Sequence, residues 1–93
     1  MEKVLSFTQN GKGYTSKPLG FEAMCMINEA HNDKNLYGPL MICRDAVDYL
    51  FEGIVSQEVM DNLDVSTRTY LCIELWGFYV EVLQRLARAT KKT

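Results

Sequence analysis

The sequence predicts an α+β fold, mainly α: an N-terminal β-hairpin followed by about four helices, the last one long and either central or interface-forming. Three observations predict it. Asn10-Gly11 separates two short segments of strand character, "VLSFTQ" and "GYTSK". Apolar residues then recur at helical spacing through successive segments. Finally, Thr69–Leu83, "TYLCIELWGFYVEVL", is apolar almost throughout yet carries Glu74 and Glu81. With 93 residues, 47% hydrophobic and 24% charged, the chain is sized and composed for one ordered domain. Within residues 1–93, 1–17 form the hairpin, 18–89 the helical part and 90–93 a frayed tail.

Asn-Gly suits a type I′ turn, in which both central residues take positive φ. Pairing Gln9 with Lys12 sets Phe7 opposite Tyr14 and Leu5 opposite Ser16. One face then carries Leu5, Phe7 and Tyr14, and the other Ser6, Thr8, Thr15 and Lys17. A lone hairpin is marginal, so its greasy side needs cover from the helices. Pro18 suits the first turn of a helix, in which Ala23, Met26, Ile27 and Ala30 share a face. "HNDKN", residues 31–35, reads as a loop. A second helix runs from about Pro39 to a C-cap at Gly53, with Leu40, Cys43, Val47, Leu50, Phe51 and Ile54 on one side. Ser56 caps a short helix through "QEVMDNL". Ser66 caps the last helix, with Val65 and Tyr70 placed as a hydrophobic staple, and that helix continues to about Ala89.

The last helix does not suit a membrane. A span needs roughly 20 apolar residues, and this run is shorter, holds two glutamates and ends in Arg85 and Arg88. At 100° per residue, Glu74, Gly77, Glu81, Gln84, Arg85 and Arg88 fall with Tyr70 in a polar arc of about 100°. The remaining arc, roughly 220°, is apolar, whereas a surface helix needs a stripe only a little wider than about 100°. The surplus is covered either by this domain or by another chain. A helix of about 23 residues is about 35 Å long, comparable to the whole domain. It therefore serves as a central pillar or presents Ile73, Trp76, Phe78, Tyr79 and Val80 to a partner, Trp and Tyr being enriched in interface hot spots.

Charge and cysteine usage narrow the classes. The net charge is −2 and the pI about 5.3, with no basic excess to neutralise a phosphate backbone. Phe21–Asp64 carries nine acids against Lys34 and Arg44, a net of −7, while Val65–Thr93 carries a net of +3. Those regions attract one another within a monomer or between copies. The terminal bases Arg85, Arg88, Lys91 and Lys92 suit the negative end of the helix macrodipole. Cys25, Cys43 and Cys72 are odd in number and widely spaced in apolar surroundings, which reads as three buried thiols in a reducing cytoplasm. The opening "MEKVLSFTQ" turns polar too soon for a signal peptide. His31 is the one histidine, so no metal set forms, and no cofactor-binding motif is present. Asp45, Asp48 and Glu52 share the polar side of the second helix. With no nucleophile, base or metal ligand beside them they read as solvated surface, and no catalytic residue is assigned.

The segment "FTQNGKGYTSKP" followed by "LGFEAMCMINE" resembles the tail assembly chaperones of long-tailed bacteriophages and prophages. Phe7, Asn10, Gly11, Lys12, Tyr14, Lys17, Pro18 and Phe21 carry the resemblance, which covers about the first thirty residues and extends to the rest only in size and helical character. It implies a non-enzymatic, cytoplasmic protein that binds the tape-measure protein during tail assembly, keeps it from aggregating, and tends to self-associate. It further implies a second, longer product made by ribosomal frameshifting near the "TKKT" ending. A different class stays open: a small regulatory or nucleic-acid-binding module of a mobile element, resting on the basic end Arg85–Lys92. No helix-turn-helix or aromatic-basic stripe accompanies those bases.

Overall fold

β1 (Ser6–Gln9) and β2 (Lys12–Thr15) pair antiparallel, with Gln9 opposite Lys12 and Phe7 opposite Tyr14. The turn follows from its residues: Asn10 and Gly11 take φ of 53° and 78°, the left-handed region that Asn tolerates and Gly adopts without cost. The computed structural model describes residues 3–33 and 36–91, with side chains through Ala89. Four helices follow the hairpin: α1 (Phe21–Asn32), α2 (Pro39–Phe51), α3 (Gln57–Asp61) and α4 (Val65–Lys91). The predicted α+β, mainly α architecture is the one observed. Helical geometry continues to Lys91, two residues past the expected end; the last two residues of the expected tail, Lys92 and Thr93, lie outside the described residues, as do Lys34 and Asn35 of the expected loop.

The hairpin's apolar face is its anchor. Phe7 is buried, its ring edge-on to Phe51 of α2 at 5.1 Å and tilted against Tyr14 at 5.3 Å. Pairing continues beyond the strands. The Ser16 amide donates to the Leu5 carbonyl (2.8 Å) and the Leu5 amide to Ser16 Oγ (2.9 Å), so a buried hydroxyl completes the ladder where strand geometry stops. Lys17 N–H reaches the Leu50 carbonyl (2.9 Å) and Leu19 N–H the Lys3 carbonyl (2.9 Å). These bonds hold the Pro18 region extended. Pro18 therefore precedes the helix instead of opening it, and α1 starts at Phe21 after Gly20.

α2 is the most enclosed element, packed against α1 on one side and α4 on the other. Cys43, Val47, Leu50 and Phe51 have no measurable exposure, and Ile42 and Ala46 are buried with them. The predicted face of α2 was rotated: Leu40 and Ile54 are exposed, because α1 and α4 together cover the side that includes Ile42 and Ala46. The chain leaves α2 through Gly53 (φ 81°), as its expected C-capping role requires. Ser56 Oγ accepts from the Val59 amide (3.3 Å), the predicted cap of α3, whose regular part ends at Asp61. Across the turn, Arg68 donates to Asp48 Oδ1 (2.8 Å) and to the Met60 carbonyl (2.6 Å), tying α4, α2 and α3 together. Asp48 is thus half-buried and paired across the fold, whereas Asp45 is exposed and meets Arg44 beside it (3.4 Å).

Candidate protein-binding surface

The start of α4 is fixed by carboxylate and hydroxyl chemistry. Helix geometry begins at Val65, one residue before the predicted Ser66 cap. Asp64 precedes it, with its carbonyl accepting from the Arg68 amide (3.1 Å) and its carboxylate accepting from Ser66 Oγ (2.6 Å). Hydrogen bonds from the Ser66 and Thr67 side chains, in that order, hold the Asp64 carboxyl below its ordinary range, aided by bonding to the Thr67 backbone. Asp64 is therefore the charged anchor of this end, where the macrodipole favours an anion. Val65 is largely exposed and Tyr70 half-exposed, so the expected staple does not close over the helix start.

From there one stripe of α4 enters the core. Leu71, Cys72 and Leu75 have no measurable exposure and Tyr79 is only 3% exposed, so the fully buried stripe is about 100° wide. Burial pushes the Cys43 thiol up to about 12, with Cys72 adding to the shift, and burial likewise raises Cys72. Both thiols stay protonated and act as small apolar packing groups. Tyr79 keeps one polar link: its hydroxyl donates to Asn28 Oδ1 (3.1 Å), which also accepts from Asn32 Nδ2 (2.8 Å). Burial raises the Tyr79 hydroxyl above its ordinary range, with Cys43 the secondary cause.

The five residues expected to face a partner divide into three groups. Ile73 (51% exposed), Trp76 and Val80 share one flank, the last two half-buried. Trp76 packs edge-on to His31 at 5.7 Å and tilted on Tyr79 at 5.4 Å. His31 belongs to the last turn of α1 and not to the predicted loop. Phe78 lies on the opposite flank, half-buried near Pro18, Leu19 and Arg85. Tyr79 sits between them in the core with only an edge at the surface: the register that buries Leu75 also buries the residue four positions on.

Coverage of α4 fails along its axis more than around it. Beyond Val80 only Val82 is part-buried, and 83–89 are exposed. The Cα radius of gyration is 14.0 Å against about 12 Å for a compact chain of this length, and the molecule measures 50 × 32 × 21 Å. α4 ends as an arm. Leu83 (44% exposed) and Leu86 (60%) continue the stripe of Cys72, Trp76 and Tyr79 along it. Their spacings alternate four and three, a heptad seam whose first half is covered by the domain. Against this seam α1 sets Phe21, 81% exposed, with Met24 and the exposed Cys25; together with Asn28, Tyr79 and Leu83 they line an open groove of about 280 Å³. Cys25 was expected to be buried. α1 buries Ala23, Ile27 and Ala30 instead, which turns position 25 outward. The wheel alone did not single out Leu83 and Leu86 because it records angle and not distance along the axis. The 4-3 spacing was the available signal.

Among the described residues no three His, Cys, Asp or Glu side chains group as a metal site, and no helix is long and apolar enough to cross a membrane. Comparison with known protein families, curated proteins and solved structures finds no match.

Proposed function

We propose that this is a non-enzymatic, cytoplasmic binding protein of the chaperone type, which covers apolar helical segments of a partner. The observation that carries this is the apolar ledge of Phe21, Leu83 and Leu86, held in the open on two helices. Helix-in-groove recognition needs such a strip, presented at the i, i+3, i+4 spacing of the incoming helix. Half-exposed Ile73 with Trp76 and Val80 provides a second, smaller contact on the other flank. The hairpin-then-helix resemblance at Phe7–Phe21 supplies the identity of the partner, the tape-measure protein of a long-tailed phage during tail assembly. Arg85 is engaged by Glu81 one turn earlier, so the basic end offers little support to the alternative nucleic-acid-binding module.

The test is light scattering from a tape-measure fragment diluted out of denaturant, with and without the protein. Suppression at near-stoichiometric ratio, weakened by Phe21→Ser, is the expected outcome. Scattering unchanged at about tenfold excess defeats the proposal.

A further inference from the structure

We propose that the free edge of β1 is a strand-addition site, which takes an extended, basic peptide segment of another protein as a third strand of the hairpin sheet. The ladder decides which backbone groups are on offer. Leu5 and Ser16 form a bonded pair, because the Ser16 amide donates to the Leu5 carbonyl. Bonded and non-bonded pairs alternate along an antiparallel ladder. In the observed register Phe7–Tyr14 and Gln9–Lys12 are therefore bonded pairs, and Ser6–Thr15 and Thr8–Gly13 are not. The N–H and C=O groups of Ser6 and Thr8 consequently point away from β2, and among the described residues no hydrogen bond reaches them.

Those groups open onto a slot of about 260 Å³ between β1 and the first turns of α4. Ser6, Phe7 and Thr8 line one side of it, and Ser66, Thr67 and Tyr70 the other. A cavity against a strand face touches alternate residues only. This one touches three in succession, so it runs along the edge. Sheet edges are ordinarily guarded by lysine, proline, a bulge or a covering element. β1, "SFTQ", has no charge and no proline, and its pairing with β2 runs without a bulge. Main-chain bonding to such an edge is how extended peptides are captured.

Charge identifies the occupant. Two carboxylates bond to side chains of the α4 wall: Asp64 accepts from Ser66 Oγ (2.6 Å), and Glu74 from the Tyr70 hydroxyl (3.4 Å). Arg68, the one base between positions 64 and 74, is turned away to Asp48 and the Met60 carbonyl. A lysine or arginine of the incoming strand lays its stem on the half-exposed Tyr70 ring and sets its cation towards these carboxylates. A second copy of β1 supplies no such charge, so the slot is matched to a foreign strand. It shares no residue with the Phe21–Leu83 groove, and Tyr70 and Leu83 are about 20 Å apart along α4.

The probe is a capped synthetic peptide, Lys-Thr-Val-Thr-Val-Thr-Lys, titrated into the full chain and followed by amide NMR shifts and hydrogen exchange. In the free protein the Ser6 and Thr8 amides should exchange quickly while that of Phe7 is protected. Saturating peptide should slow exchange at Ser6 and Thr8 at least about tenfold, the mark of new backbone bonds. An added strand uses the amides of alternate residues only. N-methylating one alternate set in the peptide, the threonines or the valines, should therefore abolish binding, and methylating the other should leave it. A peptide with glutamates in place of its lysines should bind at least about tenfold more weakly. Thr8→Pro deletes an edge amide without touching a ladder bond and should weaken binding by a similar factor, about tenfold. No binding at about 1 mM peptide, equal tolerance of both N-methylated sets, or indifference to the lysine-to-glutamate change would each overturn the proposal. So would protection of Ser6 and Thr8 that rises with protein concentration in the absence of peptide, since a second copy would then fill the edge. Phe21→Ser should leave peptide binding unchanged, so failure here and failure of the chaperone reading are separate results.

Discussion

The two halves of α4 are built from similar residues and live in different surroundings. Residues 65–80 start at a capped end, tied down by Asp64, Ser66 and Arg68, and sink Leu71, Cys72, Leu75 and Tyr79 into the core. Residues 81–91 carry leucines at the same spacing and leave them wet. Apolar content therefore does not decide burial here. What decides it is whether the short elements α1, α2 and β1 reach that far along the axis. A 27-residue helix is about 40 Å long, while the 13 residues of α2 give about 20 Å of cover.

The sharpest way to break this contrast is to truncate one leucine in each half. Leu75→Ala should cost about 2–5 kcal/mol, because the site is fully enclosed and cannot collapse without leaving a cavity. Leu86→Ala should change monomer stability by no more than about 0.5 kcal/mol. Urea unfolding at low protein concentration measures both. Equal effects would mean that the arm is folded back onto the domain in solution.

Trp76 stands at the boundary and should give an intermediate value. A fully buried ring contributes about 3–5 kcal/mol, but this one is half-buried, with His31 and Tyr79 against it. Trp76→Ala should destabilise by about 1–2 kcal/mol in the same urea titration. A loss as large as that of Leu75→Ala would place the ring in the core proper and move the end of cover further along α4.

Much of the fold was legible because it rests on local chemistry. Asn10-Gly11 fixes the hairpin turn and its register; Ser56 and Gly53 mark helix ends with a hydroxyl and a positive φ. What was misread depends on contacts distant in sequence. Pro18 has the right residue type to open a helix, but the Leu19–Lys3 bond holds that segment extended. Asp48 looks solvated until Arg68, twenty positions away, is seen to reach it. For the candidate surface, periodicity located α4 and its excess of apolar area, yet offered Tyr79 to a partner and did not register that Phe21 is exposed. No helical wheel contains the neighbouring helix that buries the one and leaves the other exposed.

The smallest expected effect concerns the capped end, and it sharpens the contrast from the other side. Asp64 is held charged in the folded protein by its hydroxyl and amide donors, so its folded pKa lies below the unfolded one. Protons then bind more tightly to the unfolded chain. The stabilisation is complete above the ordinary carboxylate range, near pH 4, and is lost as pH falls through that range towards the lower folded value. Asp64→Asn keeps a capping oxygen but cannot titrate, so it should lower Tm slightly at pH 7 and flatten part of the acid limb of a Tm-against-pH curve, the two proteins converging between about pH 5 and pH 3. The carboxylate is fully solvent-exposed, which keeps the effect small. An acid limb that is the same in both proteins would show that the hydroxyl contacts at Asp64 do not hold α4 at its start, and the packing of Leu71 and Leu75 would then have to fix the helix unaided.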